Sequence, residues 1–594
     1  MKMGGYDFQI QVLKILSTTF MPLLVLIMNF MFFLKYPINL ACSLLISLPK
    51  KGNLSLPKNW RGIQMLPAIA ALYDRILANR LHKWIGVDDE QTAFQKGKST
   101  IHQLFTLRLL IALAYKLDIT LYLGFFDIEK AFDKISRLLL LKKLISLGIG
   151  YCMLNALKML YMPTFCILNF YGQTSKRFET CSGIRQGAAS SVFLFIVFIN
   201  DLINYLKTKC IEEPLIGNMH SLLHADDTAI ISTNRLLFIE KCNHMLVYFH
   251  TNKLGLNLGK SGYMIINGKP CDKKCTLKLN NGTLLYKSKI IYLGALFSDT
   301  GNMNNDIGLH IAEKRSNITV KYNNFCSKNY LSPITIKLKV LNSCAISSLS
   351  YSSETWGKYN GKGIETLVRT GIKTALSIRN NTPNEITYIE SDQYPLECSI
   401  LKQQLKFWLN MEQHMKDNPQ TPLSILISLA QTKKLPYITH YMKLKEKYTS
   451  PENCMETLKS EYRLKWTTQI NKASIDPDSK LGAYKRVNPD LISPIYKVSF
   501  ETERILLTRY RTGNHNLQIE KGRFTYPRIP REERLCLCNT SVQTLEHCLL
   551  SCPLLAEARQ NLSSAATLFE AIQDTRIHSF LLKMEKELHI IKNY

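Results

Sequence analysis

Three aspartates stand at the ends of apolar strands, and no other feature of this sequence limits its fold so strongly. Asp127 follows an unbroken apolar run at residues 119–126, which is typical of a buried central strand. Asp226 and Asp227 lie between two further apolar runs, and residues 221–232 therefore predict a strand, an acidic turn and a second strand. An unpaired buried carboxylate is costly, so these side chains must be solvated, paired or bound to a cation.

A divalent cation would best resolve the repulsion between two adjacent carboxylates at a hairpin tip. Mg²⁺ is a hard ion that prefers oxygen ligands. Three carboxylates from two strands suit a two-metal site for an in-line displacement at phosphorus. The alternative is an ordinary acidic turn, because aspartate is common in turns. The apolar strands on both sides and the second strand-end aspartate favour the metal site.

The charge balance indicates a polyanionic partner. The 594 residues include 75 Lys and Arg against 46 Asp and Glu, a net charge of +29. Such an excess suits nucleic acid or an anionic membrane surface, and the alternative is a solvated basic surface. The hydrophobic share of 46% excludes global disorder. The 16 cysteines are mostly scattered singly, which favours a reducing compartment over a disulfide-stapled secreted domain.

Strand and helix patterns alternate over roughly the first 300 residues and predict an α+β or α/β core. Strands are predicted at 44–49, 119–126, 262–267 and 289–297, and helices at 67–84, 138–145, 190–206 and 236–253. Residues 307–380 are mostly helical in pattern and hold 11 Lys and Arg against 3 Asp and Glu. This stretch is therefore the strongest basic surface candidate.

The apolar run at residues 15–34 carries no charge and is long enough to span a bilayer. Pro22 and Asn29 interrupt it. The alternative is a buried helix of a large soluble core.

Several motifs occur in the order in which reverse transcriptases carry them. They read FDIEKAFD, SGIRQGAAS, LHADDTAII and GLNLGKSGYMIIN, and upstream ISLPKKGN, NWRGIQMLP and EQTAFQKGKSTIHQL. The first four resemble palm motifs of reverse transcriptases, and the upstream ones resemble fingers motifs of the non-LTR retrotransposon branch. YLGALFSDTG resembles the primer-grip region. Residues 10–300 thus resemble the polymerase of a LINE-type element.

The resemblance implies an α+β right-hand polymerase with fingers and palm at 1–300. A thumb-like basic helical region at 301–400, a helical linker region at 401–500, a C-terminal knuckle at 501–565 and a tail at 566–594 would follow. It also favours a buried helix at 15–34, because related enzymes begin the fingers with such a helix, so a membrane partner is not expected.

Site residues carry over by position. Asp127, Asp226 and Asp227 would be the catalytic carboxylates that hold two Mg²⁺ ions. The nucleotide-binding candidates are Lys50, Lys51, Arg61, Phe132, Gln186, Gly187 and Lys260. Phe132 stands where the family excludes a ribose 2′-hydroxyl, and the alternative is a core aromatic. Arg61, Lys50 and Lys51 would meet the triphosphate, and the alternative is a solvated basic turn. Gln186 and Gly187 would lie against the template base and nucleotide, with Lys260 near the triphosphate.

The C-terminal CLCNTSVQTLEHCLLSCPLLAEAR resembles a knuckle of non-LTR elements. Its candidate zinc ligands are Cys536, Cys538, His547 and Cys552, three cysteines and one histidine that can close a tetrahedral site. Only one residue separates the first two, so Cys548 is an alternate ligand. The other interpretation is a set of reduced thiols near a helix start.

The predicted activity is RNA-directed DNA polymerisation from an RNA template, a DNA primer and dNTPs, in the nucleus and cytoplasm of a eukaryotic cell. The alternatives are a group II intron maturase-like protein and a catalytically silent nucleic-acid-binding remnant. Only 42 residues follow Cys552 and the fingers begin within about 40 residues of Met1. We therefore expect a fragment that lacks its endonuclease.

Overall fold

The computed structural model describes residues 21–50, 52–257, 259–269, 276–280, 282–358, 361–493, 500–560, 562 and 567–589. The chain forms two compact units. The first contains Met1–Met303 and His414–Leu435, and the second contains Asn304–Gln413 and Pro436–Tyr594.

The first unit contains two larger sheets and two hairpins. Its strands are β1 (Cys42–Pro49), β2 (Trp60–Met65), β3 (Leu121–Glu129), β4 (Thr164–Phe170), β5 (Gln173–Thr174), β6 (Phe178–Thr180), β7 (Ser221–His224), β8 (Asp227–Ser232), β9 (Gly255–Leu256), β10 (Gly262–Ile266), β11 (Leu277–Leu279), β12 (Gly282–Leu284), β13 (Lys289–Tyr292) and β14 (Ala295–Ser298). One sheet has the order β2-β1-β4-β5, with β6 on β4, and the other has the order β10-β3-β8-β7, with β9 on β3.

The helices of the first unit cover these sheets. They are α1 (Met21–Phe33), α2 (Ala68–Trp84), α3 (Thr100–Lys116), α4 (Ala131–Lys134), α5 (Arg137–Ser146), α6 (Tyr151–Tyr161), α7 (Ala189–Lys209) and α8 (Arg235–Thr251), and α15 (Pro422–Thr432) returns to pack on α3. Mixed sheets are thus covered by helices, and the prediction of an α+β core is confirmed.

The strand β3 lies in the interior of the second sheet. Its first six residues are all buried, and it pairs antiparallel with β10 on one side and β8 on the other. A strand covered on both faces needs apolar residues at every position, which explains the unbroken run at 119–126. The predicted strand–turn–strand at 221–232 is likewise confirmed as β7 and β8.

The N-terminal apolar helix departs from expectation. Within α1 only Met28 and Met31 are buried, whereas Leu26 and Phe33 are 65% and 60% exposed. The prediction of a buried helix is therefore wrong for residues 21–33, and residues 15–20 lie outside the described part. The helix α1 is apolar on all sides, so its sequence has no polar face that would mark the side exposed to solvent. The sequence pattern therefore could not show that only one stripe of α1 packs against the protein.

The helix Ala189–Lys209 is the one described helix that is long and apolar enough to cross a bilayer. Two thirds of that apolar stretch is buried inside the protein. Burial among other apolar side chains accounts for its composition without a membrane.

The predicted strand at 289–297 is instead a hairpin of β13 and β14. Leu293 and Gly294 both have a positive φ, of 46° and 77°. A two-residue turn with positive φ at both positions matches the twist of the flanking strands. The prediction of one continuous strand was wrong because both arms are apolar and the glycine is the only turn signal.

The second unit is helical. Its elements are α9 (Met303–Lys328), α10 (Ile334–Val340), a π-helix (Leu341–Ile346), α11 (Ser347–Leu349), α12 (Lys362–Leu376), α13 (Asn384–Ser391), α14 (Leu396–Asp417), α16 (Pro436–Lys447), α17 (Pro451–Ala473), α18 (Lys480–Val487), α19 (Glu501–Arg511), α20 (Gln518–Lys521), α21 (Leu545–Leu550), α22 (Ala556–Arg559), α23 (Leu568–Gln573) and α24 (Ile577–Glu587). Two of them, α9 and α14, run across the boundary between the units. The helical pattern predicted for 307–380 is confirmed.

Candidate active site and candidate metal centre

The three aspartates meet where β3 ends beside the β7–β8 hairpin. Asp127 and Asp227 are partners in the register of β3 and β8. Asp226 occupies the turn of the hairpin, after Ala225 with a φ of 55°. The amide of Ala225 donates to Oε1 of Gln91 at 3.2 Å, which anchors the turn to a neighbouring segment. Asp127 and Asp227, which are 100 residues apart in the chain, thus lie side by side at one end of the same sheet.

The environment of these carboxylates favours a bound cation. Burial is the largest cause that raises the pKa of Asp227, and together with the negative charges of Asp226 and Asp127 it brings the value to about 6. Burial also raises the pKa of Asp226, and the Asp127 charge adds to the increase whereas the Arg61 charge opposes it. Repulsion among buried carboxylates is relieved by a divalent cation, so these three side chains fit a Mg²⁺ site.

Lys260 lies within ion-pair distance of Asp127, with its Nζ 3.6 Å from Oδ2. The Asn257 amide donates to the Asp127 carbonyl at 2.9 Å, and the Ser261 hydroxyl donates to the Asn257 carbonyl at 2.8 Å. This turn brings Lys260 to the carboxylates while the lysine stays 72% exposed.

Gln186 connects the first sheet with the helix α4 that follows β3. Its side chain donates to Oδ1 of Asp133 at 3.0 Å and accepts from Nε of Arg61 at 3.4 Å. Its carbonyl accepts from the amide of Gln64 on β2 at 2.7 Å. At Gly187 (φ 125°) a Cβ atom would lie 2.4 Å from the Gln64 carbonyl oxygen, so only glycine fits there.

Phe132 lies in α4, directly after β3, and is half-buried. Its ring stacks on Phe195 of α7 at a centroid distance of 5.0 Å and an interplanar angle of 21°. One face of the ring is therefore used in packing.

The basic turn after β1 is less well placed. Lys50 is exposed, and its amide donates to the Asn59 carbonyl at 2.7 Å, which closes the end of the β1–β2 pair. Arg61 lies opposite Leu48 in that pair. Lys51 lies outside the described residues. The structure thus brings Arg61, Gln186 and Lys260 towards the aspartates and gives no such contact for Lys50.

Two polar residues at this site were missed in the sequence. Asp133 ends the motif FDIEKAFD, so its place in that motif was the available signal. Arg137 begins α5 and is 7% exposed, although an arginine beside leucines ordinarily indicates a solvent-facing position. The side chain of His224 hydrogen-bonds Thr92 at 2.9 Å, and burial lowers the pKa of this histidine.

A second cluster lies in the C-terminal part of the chain. The ligand atoms of Cys536, Cys538, His547 and Cys552 all lie within 4.8 Å of one another, the one group of potential metal ligands that the described residues gather so closely. The two sulfur atoms of Cys536 and Cys552 are 3.8 Å apart. A tetrahedron with metal–sulfur bonds of about 2.3 Å has a sulfur–sulfur edge of about 3.8 Å. The donor set and spacing fit zinc.

Local structure places each of these side chains. The tight turn after Cys536 has Asn539 in the left-handed conformation (φ 59°), and the Asn539 amide donates to the Cys536 carbonyl at 2.9 Å. Thr544 caps α21 and so orients His547, whose Nδ1 contacts the Ser551 hydroxyl at 3.1 Å. That contact turns Nε2 towards the cysteines, as expected of a metal-bound histidine.

The thiols differ in their readiness to ionise. Burial raises the pKa of Cys538, but hydrogen bonds from Thr540 and His547 outweigh it and lower the value to about 6. Burial raises the pKa of Cys552 to about 11 and that of Cys548 further. Cys548 is fully buried and is not among the four gathered ligands, so the structure favours Cys552 over this alternate.

Comparison with known proteins concerns the part of the chain that contains the first site. Residues 48–297 match the family described as reverse transcriptase (RNA-dependent DNA polymerase). This region contains β3, the β7–β8 hairpin and the loop of Gln186. Enzymes of this family use divalent metal ions.

Three relatives are similar to part of this chain. The Pol polyprotein of retrotransposable element R2 from Popillia japonica is 25% identical over 57% of this chain and 48% of its own length. That of element R2DM from Drosophila melanogaster is 24% identical over 48% and 28%, and the 149 kDa protein of transposon TX1 from Xenopus laevis is 26% identical over 44% and 20%. The chain therefore spans about half or less of each relative. Residues 48–297 form a reverse transcriptase domain of the kind carried by non-LTR retrotransposon proteins.

Proposed function

We propose that this chain is an RNA-directed DNA polymerase that copies retroelement RNA into DNA by two-metal nucleotidyl transfer. The observation that carries the proposal is the meeting of Asp127, Asp226 and Asp227 at one sheet edge within a reverse transcriptase domain. In this function the primer 3′-oxygen forms a bond to the α-phosphorus of a dNTP. The bond to pyrophosphate breaks, and the proton of the 3′-hydroxyl leaves to solvent.

The three aspartates would hold two Mg²⁺ ions, and such ions, when bound, would supply positive charge that activates the attacking hydroxyl and offsets the charge of the leaving pyrophosphate. The cationic side chains of Lys260 and Arg61 would attract the triphosphate towards the carboxylates. Gln186 and Gly187 would present a loop to the templating base. Lys50 and Lys51 remain proposed contacts of the triphosphate.

Binding of Mg²⁺ should depend on pH, because metal and proton compete for the same carboxylates. The folded-state pKa of Asp227 is raised to about 6, so the apo protein loses stability as pH rises from about 4 through 6. We expect 10 mM Mg²⁺ to raise the unfolding temperature at pH 7.5 and to have little effect at pH 5. A site with a Kd of about 1 mM gains about 1.4 kcal/mol at this concentration.

Differential scanning fluorimetry at both pH values measures this effect. The variant D227N serves as the control, since it lacks the titrating group and should lose most of the Mg²⁺ response. Equal Mg²⁺ stabilisation at pH 5 and pH 7.5 would contradict the assignment.

Phe132 would select the sugar. A ring beneath the nucleotide leaves room for hydrogen at C2′ and collides with a hydroxyl. We expect F132V to reduce the preference for dGTP over GTP at least about tenfold, a change of about 1.4 kcal/mol. Incorporation of the two nucleotides at equal folded fraction measures the ratio.

The stacking of Phe132 on Phe195 supports an alternative in which Phe132 only packs the core, and this alternative predicts a different result. Truncation would then cost roughly 1–3 kcal/mol of stability and leave the ratio unchanged. The variant F195L is the matched control, since it disturbs the same stack without touching the sugar position.

An aromatic surface on the first sheet suits single-stranded nucleic acid. The rings of Trp60 and Phe170 are 5.1 Å apart, and those of Phe170 and Tyr171 are 4.8 Å apart. Tyr171 is 85% exposed at the tip of the β4–β5 hairpin. Exposed rings offer stacking to bases, and Arg177, whose guanidinium lies 4.5 Å from the ring of Phe165 on β4, adds a positive charge to the same sheet.

The C-terminal cluster would be a zinc knuckle closed by Cys536, Cys538, His547 and Cys552. We expect one zinc per purified chain and less than about 0.1 in C552S, because a tetrahedral site that loses a thiolate binds far more weakly. Elemental analysis measures the content. The variant C548A tests the alternate ligand and should retain one zinc, and loss of zinc in C548A with retention in C552S would reverse the ligand set.

The remaining assignments follow the same proposal. Residues 1–300 would supply fingers and palm, the helices at 301–400 a thumb, and residues 401–500 a linker. RNA template, DNA primer and dNTPs would be the partners, in the nucleus and cytoplasm of a eukaryotic host. The related proteins are retrotransposon products, so a maturase-like function is not favoured.

Primer extension tests the function. Purified protein, poly(rA) template, oligo(dT) primer and dTTP with Mg²⁺ should yield extended DNA. Absence of extension by folded, metal-loaded protein on this template and on heteropolymeric RNA would leave the silent nucleic-acid-binding remnant as the explanation.

A further inference from the structure

One buried guanidinium holds the start of the loop that carries Gln186 and Gly187. Arg137 lies at the first position of α5, ten residues after Asp127. Its donors reach five oxygens around this loop: the carbonyls of Gly183 (2.8 Å), Tyr161 (2.8 Å), Thr180 (2.6 Å) and Ser182 (3.1 Å), and the hydroxyl of Thr180 (3.3 Å).

The charge of Arg137 is compensated by backbone dipoles. The side chain is 7% exposed, and within the described part of the chain it forms no ion pair with a carboxylate. A buried cation is costly unless its donors are satisfied, and here all three guanidinium nitrogens are. A planar fork with five N–H groups can serve carbonyls in three directions, whereas a lysine ammonium is a single point with three donors.

Backbone hydrogen bonds complete the attachment. The amide of Gly183 donates to the Ile135 carbonyl, and the amide of Ile184 donates to the Phe132 carbonyl, both at 2.9 Å. Gly183 has a φ of 75°, and a Cβ there would lie 2.7 Å from the Asp133 carbonyl oxygen. Residues 132–137 and 180–184 therefore form one rigid block attached to the end of β3.

The far end of the loop is held by Gln186, through Asp133, Gln64 and Arg61. We propose that Arg137 is a positioning residue that sets the loop Ser182–Gly187 relative to the strand of Asp127, and thereby sets Gln186 and Arg61 for the incoming nucleotide. This inference rests on the proposed polymerase function. Arg137 acts through the loop and touches neither the nucleotide nor the carboxylates.

The variant R137K tests the proposal, because it keeps the charge and loses the fork. We expect the KM for dNTP to rise at least about tenfold, whereas kcat falls less than about threefold, since the carboxylates are untouched. A role confined to stability would lower the folded fraction and leave both constants per folded molecule unchanged. Lys142 is exposed on the same helix, so K142M is the control and should match the wild type.

A double-mutant cycle with Q186A shows whether the effect passes through Gln186. If it does, R137K adds little to the KM of Q186A, since residues in one hydrogen-bonded network are not additive. Additive effects would overturn the proposal. Should R137K fail to fold by circular dichroism, the same measurements on R137Q decide, and failure of both variants to fold would assign Arg137 to stability alone.

Hydrogen exchange separates this inference from the polymerase function. The amides of Gly183 and Ile184 should exchange at least about tenfold faster in R137K than in the wild type, with β3 unchanged. If these amides exchange faster in R137K but the wild-type protein extends no primer, the proposed polymerase function is refuted. The inference that Arg137 attaches the loop would still hold. Unchanged exchange, together with wild-type kinetic constants, would refute the positioning role.

Discussion

Replacing Asp226 by asparagine should reduce primer extension at least about 100-fold, which corresponds to about 2.7 kcal/mol of transition-state stabilisation. Asparagine keeps the size of the side chain and removes the negative charge that would hold a metal ion. Asp226 sits in the turn of the β7–β8 hairpin, where the negative charge of Asp127 contributes to its raised pKa. The same substitution at Asp127 should have an effect of similar size, because the two strands contribute to one site.

Single-turnover extension with saturating dTTP and 10 mM Mg²⁺ measures the loss. The matched control is E129Q, which removes a carboxylate two residues after Asp127 on the same strand; Glu129 is exposed and paired with Lys134. It should stay within about threefold of the wild type. Near-normal extension by D226N would remove the carboxylate cluster from the proposed mechanism.

Affinity for single-stranded RNA should fall roughly 250-fold between 50 and 200 mM salt. The net charge of +29 predicts at least about six phosphate contacts, and each contact on a single strand contributes about −0.7 to the log–log slope, or about −4 in total. Residues 307–380 are expected to contribute most. Fluorescence anisotropy with labelled RNA over a salt series measures the slope.

Substitution of three exposed basic residues of α9 tests whether this helix contributes to the salt dependence of RNA binding. The triple variant R315Q/K321Q/K328Q should reduce the magnitude of the slope by about 2, one phosphate contact for each residue. The double variant K433Q/K434Q lowers the net charge outside residues 307–380 and serves as the control. An affinity that does not change with salt would exclude phosphate contacts as the source of binding.

The local part of the fold was readable from the chain. The apolar run before Asp127 became β3, and the two runs around Asp226 and Asp227 became the β7–β8 hairpin. Periodicity and turn chemistry act between neighbours in sequence, so such elements carry their own signal. The C-terminal cysteines and His547 likewise lie within 17 residues of chain, where one turn and one capped helix bring them together.

Contacts between distant segments needed the tertiary structure. No local pattern distinguishes the narrow covered stripe of α1 from full burial, and only the packing of neighbouring helices decides it. The glycine turn inside 289–297 was hidden by apolar residues on both sides.

The sequence by itself determined which residue types stand at strand ends, and through the ordered motifs it indicated the family. The tertiary structure decided which of those residues meet. It placed Asp127 opposite Asp227, linked Gln186 to Asp133 and Arg61, and buried Arg137 among carbonyls. The reason is physical: strand and helix propensities arise from residues a few positions apart, whereas the partners of a buried charge come from segments that only the packed core brings together.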